Sequence, residues 1–161
     1  MWMTLNQLTG LPVVWQGKVA GHVDHGVIDL QSSRLKGLIV RHGLGAAKWV
    51  PSQGIEWIGR DCIVSRMRPA AQPESLPSAF RRIYLTNGSL LGQVTDVLLR
   101  LENHRVVALE VSESLTGRLL GRRRYAVEYR LQTDGREAGK AIAGDLLSWA
   151  ELMSRFKEER E

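Results

Sequence analysis

The sequence predicts a mainly β protein: two small antiparallel β-barrel units in tandem, a proline-rich seam between them, and an amphipathic helix at the end. Three observations predict it. A glycine-marked pattern of short alternating runs recurs without a gap 71 residues later. Three of the five prolines, Pro69, Pro73 and Pro77, fall together near the middle. Only the last stretch, from Asp145, carries apolar residues at helical spacing.

The repeat sets Val13–Val40 against Tyr84–Val111. Gly17 falls on Gly88, Gly21 on Gly92, Val23 on Val94 and Leu30 on Leu101. Arg34, Leu38 and Val40 fall on Arg105, Leu109 and Val111. The glycines hold turn positions. Ile28, Leu30, Leu38 and Val40, with their partners Leu99, Leu101, Leu109 and Val111, share one face by the period of two and are expected to be core.

The first unit opens with a strand over Leu11–Trp15, a proline being tolerated where a strand begins. Gln16-Gly17 is its turn, and an extended run from Lys18 to Leu30 passes a bend or bulge at Gly21. Gln31-Ser32-Ser33 turns the chain into a return strand, Arg34–Val40. Gly43-Leu44-Gly45 is a loop, Lys48–Pro51 a short strand, Gln53–Ile58 a turn or second short strand, and Arg60–Arg66 another. Many short strands joined by tight turns suit a small barrel or sandwich better than an α/β fold.

The boundaries expected are 1–68 for the first unit, 69–79 for a semi-extended linker, 80–144 for the second unit and 145–161 for the helix. In the second unit, Asn87-Gly88 is a signal for a two-residue hairpin turn, because both residues tolerate positive φ. Val94–Leu101 and Arg105–Val111 form the next hairpin across Glu102-Asn103-His104. Tyr125–Thr133 reads as a strand, Asp134-Gly135 as a turn and Gly139–Ala143 as the last strand. Asp145 is the expected N-cap, with Leu146, Trp149, Leu152, Met153 and Phe156 on one helix side. That side closes over a barrel or meets a partner; the acidic polar face speaks against a membrane surface.

Composition narrows the function. A single cysteine, Cys62, leaves no intrachain disulfide and sits in an apolar run as a small hydrophobe. Met1–Gly10 has no basic leader, and no apolar run reaches a membrane span, so a cytoplasmic location is expected. The net charge of +5 is uneven: residues 1–72 hold eight Lys/Arg against four Asp/Glu. The second half is nearly neutral but contains a local cluster, Arg118, Arg122, Arg123, Arg124 and Arg130, opposed by Glu128.

Gly92-Gln93-Val94-Thr95-Asp96-Val97, with Val106–Val111 after a polar turn, resembles the PRC-barrel family, named for the photosynthetic reaction centre H subunit. A barrel of this kind also ends bacterial ribosome-maturation factors. Lys48-Trp49-Val50-Pro51, followed by Ile58-Gly59-Arg60-Asp61, is similar to the family's strand–proline ending, and Leu119–Arg122 to the same region of a second copy. The first copy departs where the second has Asp96-Val97, carrying His25-Gly26 instead, and the second lacks the proline-containing strand after Arg122. The resemblance implies tandem antiparallel barrels used for interaction or docking, with no catalytic residues.

The residues themselves offer no other chemistry. His22 and His25 point to opposite faces of an extended segment unless a bulge intervenes, so neither they nor His42 converge as metal ligands. No nucleophile elbow, phosphate loop or paired-carboxylate motif occurs, so neither a catalytic residue nor a cofactor is expected. The arginine cluster remains: solvated strand residues, a grip on an acidic protein, or a grip on RNA phosphates. The first choice is a non-catalytic adaptor or assembly factor that binds another protein. The alternative is an RNA- or ribosome-associated maturation factor, and a homodimer is an arrangement the sequence allows.

Overall fold

The computed structural model describes residues 1–76, 84–86, 91–112, 123–132 and 140–159. The chain is mostly β, with one small C-terminal helix. It divides into two compact units: Met1–Pro77 with Leu99–Val106, and Ser78–Leu98 with Val107–Glu161.

The first unit begins with a strand, β1 (Trp2–Thr4), and one helical turn, α1 (Leu5–Leu8). Thr4 caps that turn: its hydroxyl accepts from the Gln7 N–H, and the Gln7 side chain accepts from the Thr4 N–H at 2.8 Å. Six strands follow: β2 (Pro12–Trp15), β3 (Lys18–Asp29), β4 (Arg34–Arg41), β5 (Lys48–Pro51), β6 (Ile55–Ile58) and β7 (Ile63–Ser65). They lie in the order β5-β4-β3-β2-β7-β6, antiparallel except that β2 and β7 run parallel.

Gln16 and Gly17 both have positive φ, 49° and 73°, as the tight turn between β2 and β3 requires. The register shifts where Val13 faces Gly21 and Val14 faces Val19, leaving Ala20 as the extra residue of a bulge. Gly21 is needed there twice over. Its φ is 151°, and a Cβ would lie 2.7 Å from both the Arg41 carbonyl and Val40 Cγ1.

Ile28, Leu30, Leu38 and Val40 are all buried. So are Val27 and Ile39 on the opposite face, which the period-two reading leaves outside the core. Trp49 covers them, with Ala47 and Leu76 packed alongside. Trp49 also exchanges backbone bonds with Ala70, at 2.7 and 3.0 Å, so the proline-rich stretch is paired where it starts. Cys62 is half-buried.

The second unit contains β8 (Tyr84–Thr86), most of β9 (Leu91–Arg100) and β10 (Arg105–Ser112), then β11 (Arg124–Ala126), β12 (Tyr129–Gln132), β13 (Lys140–Ala143) and β14 (Leu146–Leu147). Its order is β11-β10-β9-β8-β13-β12, again with one parallel pair, β8 and β13. Gly92 meets the demand that Gly21 meets: a Cβ there would overlap Val111 Cγ1. Val94, Val97, Leu98, Leu109, Val111 and Ala126 are buried. Asn87-Gly88 and Asp134-Gly135 lie outside the described residues.

Two expectations are corrected here. The strand expected over Tyr125–Thr133 is broken at Val127 and Glu128, because β11 pairs with β10 and β14 while β12 pairs with β13. The helix α2 spans Trp149–Glu158 and is capped by Ser148, not Asp145. Leu146 and Leu147 are drawn into β14, opposite Ala126 and Tyr125. The Ser148 hydroxyl accepts from the Glu151 N–H, and the Glu151 carboxylate accepts from the Ser148 N–H at 2.7 Å. Leu152 and Phe156 are buried, whereas Trp149 is 50% exposed. Among the described residues no helix is long and apolar enough to cross a membrane.

Candidate interaction patch

The arginine cluster is only partly described: Arg118 and Arg122 lie outside the described residues. Arg123 precedes β11, Arg124 opens it, and Arg130 is an exposed residue of β12, opposite Ile142. The first two adjoin Tyr125, which is buried opposite Glu110 in the β10–β11 pairing.

Glu110 is a buried carboxylate with two partners. Thr95 Oγ1 donates to one oxygen at 2.9 Å, and Arg123 Nη1 lies 3.4 Å from the other. Burial pushes the Tyr125 phenol up, and the Glu110 carboxylate adds to the effect. Asp96 is also buried, and its Oδ1 accepts from the Val97 N–H at 2.8 Å.

Tyr125 then meets the terminal helix. Its ring centroid is 5.4 Å from that of Trp149, with the planes tilted by 56°, a favoured aromatic geometry. Trp149 is the first residue of α2 and leaves half its surface open. Two residues on, the capping bonds at Ser148 hold the Glu151 carboxyl below its ordinary range, with the Arg124 charge assisting. Arg155 Nη2 donates to Glu128 at 3.1 Å. The patch is therefore an aromatic pair bordered by arginines that each have a glutamate within electrostatic reach.

The strand pairing assembles this patch from residues far apart in sequence. Arg123 and Arg124 are the part of it that the sequence reading names. Trp149, expected on a buried side, is the part it misplaces, and Glu110 is missed. The mixed-charge pattern could have been found from Glu110 only once β10 was paired with β11.

His25 belongs to a smaller polar group in the first unit. His25 Nδ1 is 2.8 Å from Asp24, and Arg41 Nε donates to the same carboxylate at 3.2 Å. The His25 hydrogen bond, then the Arg41 charge, hold the Asp24 carboxyl below its ordinary value. Among the described residues no three His, Cys, Asp or Glu side chains are placed to hold a metal ion.

Residues 81–143 match the PRC-barrel domain. The match spans β8 to β13, so the PRC-barrel segment supplies Arg123, Tyr125 and Glu110 to the patch. Trp149 comes from beyond it. No curated protein matches the chain.

Proposed function

We propose that the chain is a non-catalytic adaptor or assembly factor, made of two PRC-barrel-like units in tandem, that docks a partner protein in the cytoplasm through the Trp149–Tyr125 patch. One observation carries this reading: a half-exposed tryptophan is held over a buried tyrosine beside paired arginines. Tryptophan, tyrosine and arginine dominate the energetics of protein interfaces, because a rigid ring or guanidinium buries much surface at little entropic cost. The tandem arrangement is supported by the repeated strand order and by Gly21 and Gly92 serving one steric need.

The competing reading is an RNA- or ribosome-associated factor that grips phosphates with the same arginines. Glu110 stands against it. Its carboxylate already faces Arg123, and a phosphate arriving there would meet that negative charge.

Affinity purification from the native cell, with the wild-type chain and Trp149→Ser side by side, tests the proposal. A stoichiometric protein recovered by the wild type and lost by the variant is expected. Ribosomal RNA without such a protein, or equal recovery by both chains, would overturn it.

A further inference from the structure

Like charges set directly opposite each other on neighbouring strands destabilise a sheet. One such pair stands in the first unit. Arg34 opens β4, Arg105 opens β10, and the two are cross-strand partners. The Leu35 and Val106 N–H groups bond across on either side of them, so the arginines form a non-hydrogen-bonded pair. In such a pair the Cα atoms stand about 4.5 Å apart and the side chains are at their closest. Leu35 is buried, which by alternation turns Arg34 and its partner to the outer face, and both arginines are exposed.

Among the described residues neither guanidinium has a hydrogen-bond or ion-pair partner. Two carboxylates border the pair, and both are engaged elsewhere. Asp29 is the partner of Arg34 on β3. Its oxygens accept from the Gln31 N–H at 3.0 Å and the Ser32 hydroxyl at 3.0 Å, closing the turn before β4. Glu102 accepts from the Met1 ammonium. The residue that the repeat sets on Asp29 is Arg100, which ends β9 at the turn that Arg105 leaves, so the far side of the pair gains a third cation. With no counter-ion on it, the Arg34 charge reaches the His104 imidazole in that turn.

The chemistry of the pair restricts the ligand. A guanidinium presents its N–H donors in a planar fork that fits the oxygens of a phosphate. Two adjacent positive charges are matched by one dianion. A phosphate monoester carries about −1.5 to −2 near pH 7, whereas each diester of a nucleic-acid backbone carries a single negative charge. We propose that Arg34 and Arg105 form a binding site for a dianionic phosphate group, either free phosphate or the terminal phosphate of an organic ester, held between the two forks. The site lies within the first unit and stands whether or not the Trp149 patch binds anything.

Calorimetric titration of the full-length chain with phenyl phosphate, inorganic phosphate and dimethyl phosphate, at about 50 mM salt, tests it. One phenyl phosphate per chain is expected, with dimethyl phosphate, a monoanion, weaker by about tenfold or more. Inorganic phosphate binding as tightly as phenyl phosphate would assign the site to the free anion, and a tighter ester would assign it to an organic phosphate; either supports the site. Arg34→Gln and Arg105→Gln should each weaken phenyl phosphate by about tenfold or more. Both remove a like-charge contact, so their melting temperatures should equal or exceed that of the wild type. Arg60→Gln, in the turn between β6 and β7, removes an exposed cation elsewhere in the unit and should leave binding unchanged. The proposal is overturned if phenyl phosphate does not bind below about 10 mM, or if dimethyl phosphate binds equally well. Wild-type affinity in either arginine variant would overturn it too, as would a loss in Arg60→Gln as large as theirs.

Discussion

Ser33 and His104, 71 residues apart, share one left-handed backbone conformation, with φ of 53° and 57°, and their carbonyls accept matching hydrogen bonds. The Leu35 N–H donates to the His104 carbonyl and the Val106 N–H to the Ser33 carbonyl, both at 2.9 Å, with Arg34 opposite Arg105 between them. Leu35 and Val106 are again 71 residues apart, so the two bonds exchange places under the repeat. A left-handed conformation costs a non-glycine residue about 1–2 kcal/mol. Two turns of dissimilar sequence both adopt it.

That turn makes stability depend on pH. Burial, and then the positive charge of Arg34, hold the His104 imidazole below its ordinary 6.5. As pH falls through about 6.5 the unfolded chain takes up a proton that the folded chain still refuses, so stability declines. The decline ends once the lowered folded value is passed. His104→Asn tolerates positive φ and cannot titrate. Urea midpoints at about pH 8 and pH 5 should fall less for His104→Asn than for the wild type; equal falls would remove the role assigned to His104.

Gly21→Ala and Gly92→Ala should each destabilise by about 1–3 kcal/mol, as overpacking does when the neighbour cannot retreat. Both would press on a buried valine, Val40 or Val111, and Gly21→Ala also on the Arg41 carbonyl. Pairing Gly92→Ala with Val111→Ala removes the atom in the way and should recover part of the loss. Thermal melts of the single and double variants check this, and no recovery would mean that the Ser112 carbonyl, 3.2 Å from the added Cβ, sets the demand.

Much of this fold was legible because turns and alternation are local. Gln16-Gly17, the bend at Gly21 and the strands from Lys18 to Val40 follow from glycine placement and a period of two. Alternation reveals one face only, so Val27 and Ile39, which Trp49 covers on the other, carry no signal of burial in the sequence. Two further signals are local: Thr4 with Gln7 and Ser148 with Glu151 both have capping-box spacing. The second would have moved the helix start from Asp145 and separated Trp149 from the buried Leu152 and Phe156. The Arg123–Glu110 contact spans 13 residues and two strands, and no local pattern reveals it.

The terminal helix should separate packing from recognition. Leu152→Ala and Phe156→Ala remove buried side chains and are expected to cost about 2–5 kcal/mol each. Ser148→Ala removes a helix cap and should cost about 1 kcal/mol. Trp149→Ser should alter stability least, because half of its surface is already in water, yet it should abolish partner capture. Chemical denaturation of the four variants checks the ranking. A Trp149 variant as unstable as Leu152→Ala would make the ring a packing residue, not a docking one.

The arginine cluster separates the two functional readings through salt. Were Arg118, Arg122, Arg123 and Arg124 all to contact single-stranded RNA, about four phosphate contacts at a slope near −0.7 each would follow. Raising salt from about 50 to 200 mM would then weaken binding roughly 50-fold. The Glu110 carboxylate beside Arg123 lowers the number of cations free for phosphate, and the adaptor reading predicts no RNA retention below about 10 µM at the lower salt. Filter binding with purified chain measures this directly. Glu110→Gln supplies the control: it unmasks Arg123 and leaves the Thr95 hydroxyl an acceptor at hydrogen-bonding distance. Retention that appears only in Glu110→Gln would show that the carboxylate guards the cluster against phosphate. Retention by the wild type, with a slope flattened by replacing Arg122, Arg123 and Arg124 with alanine, would transfer the cluster to RNA and end the adaptor reading of this patch.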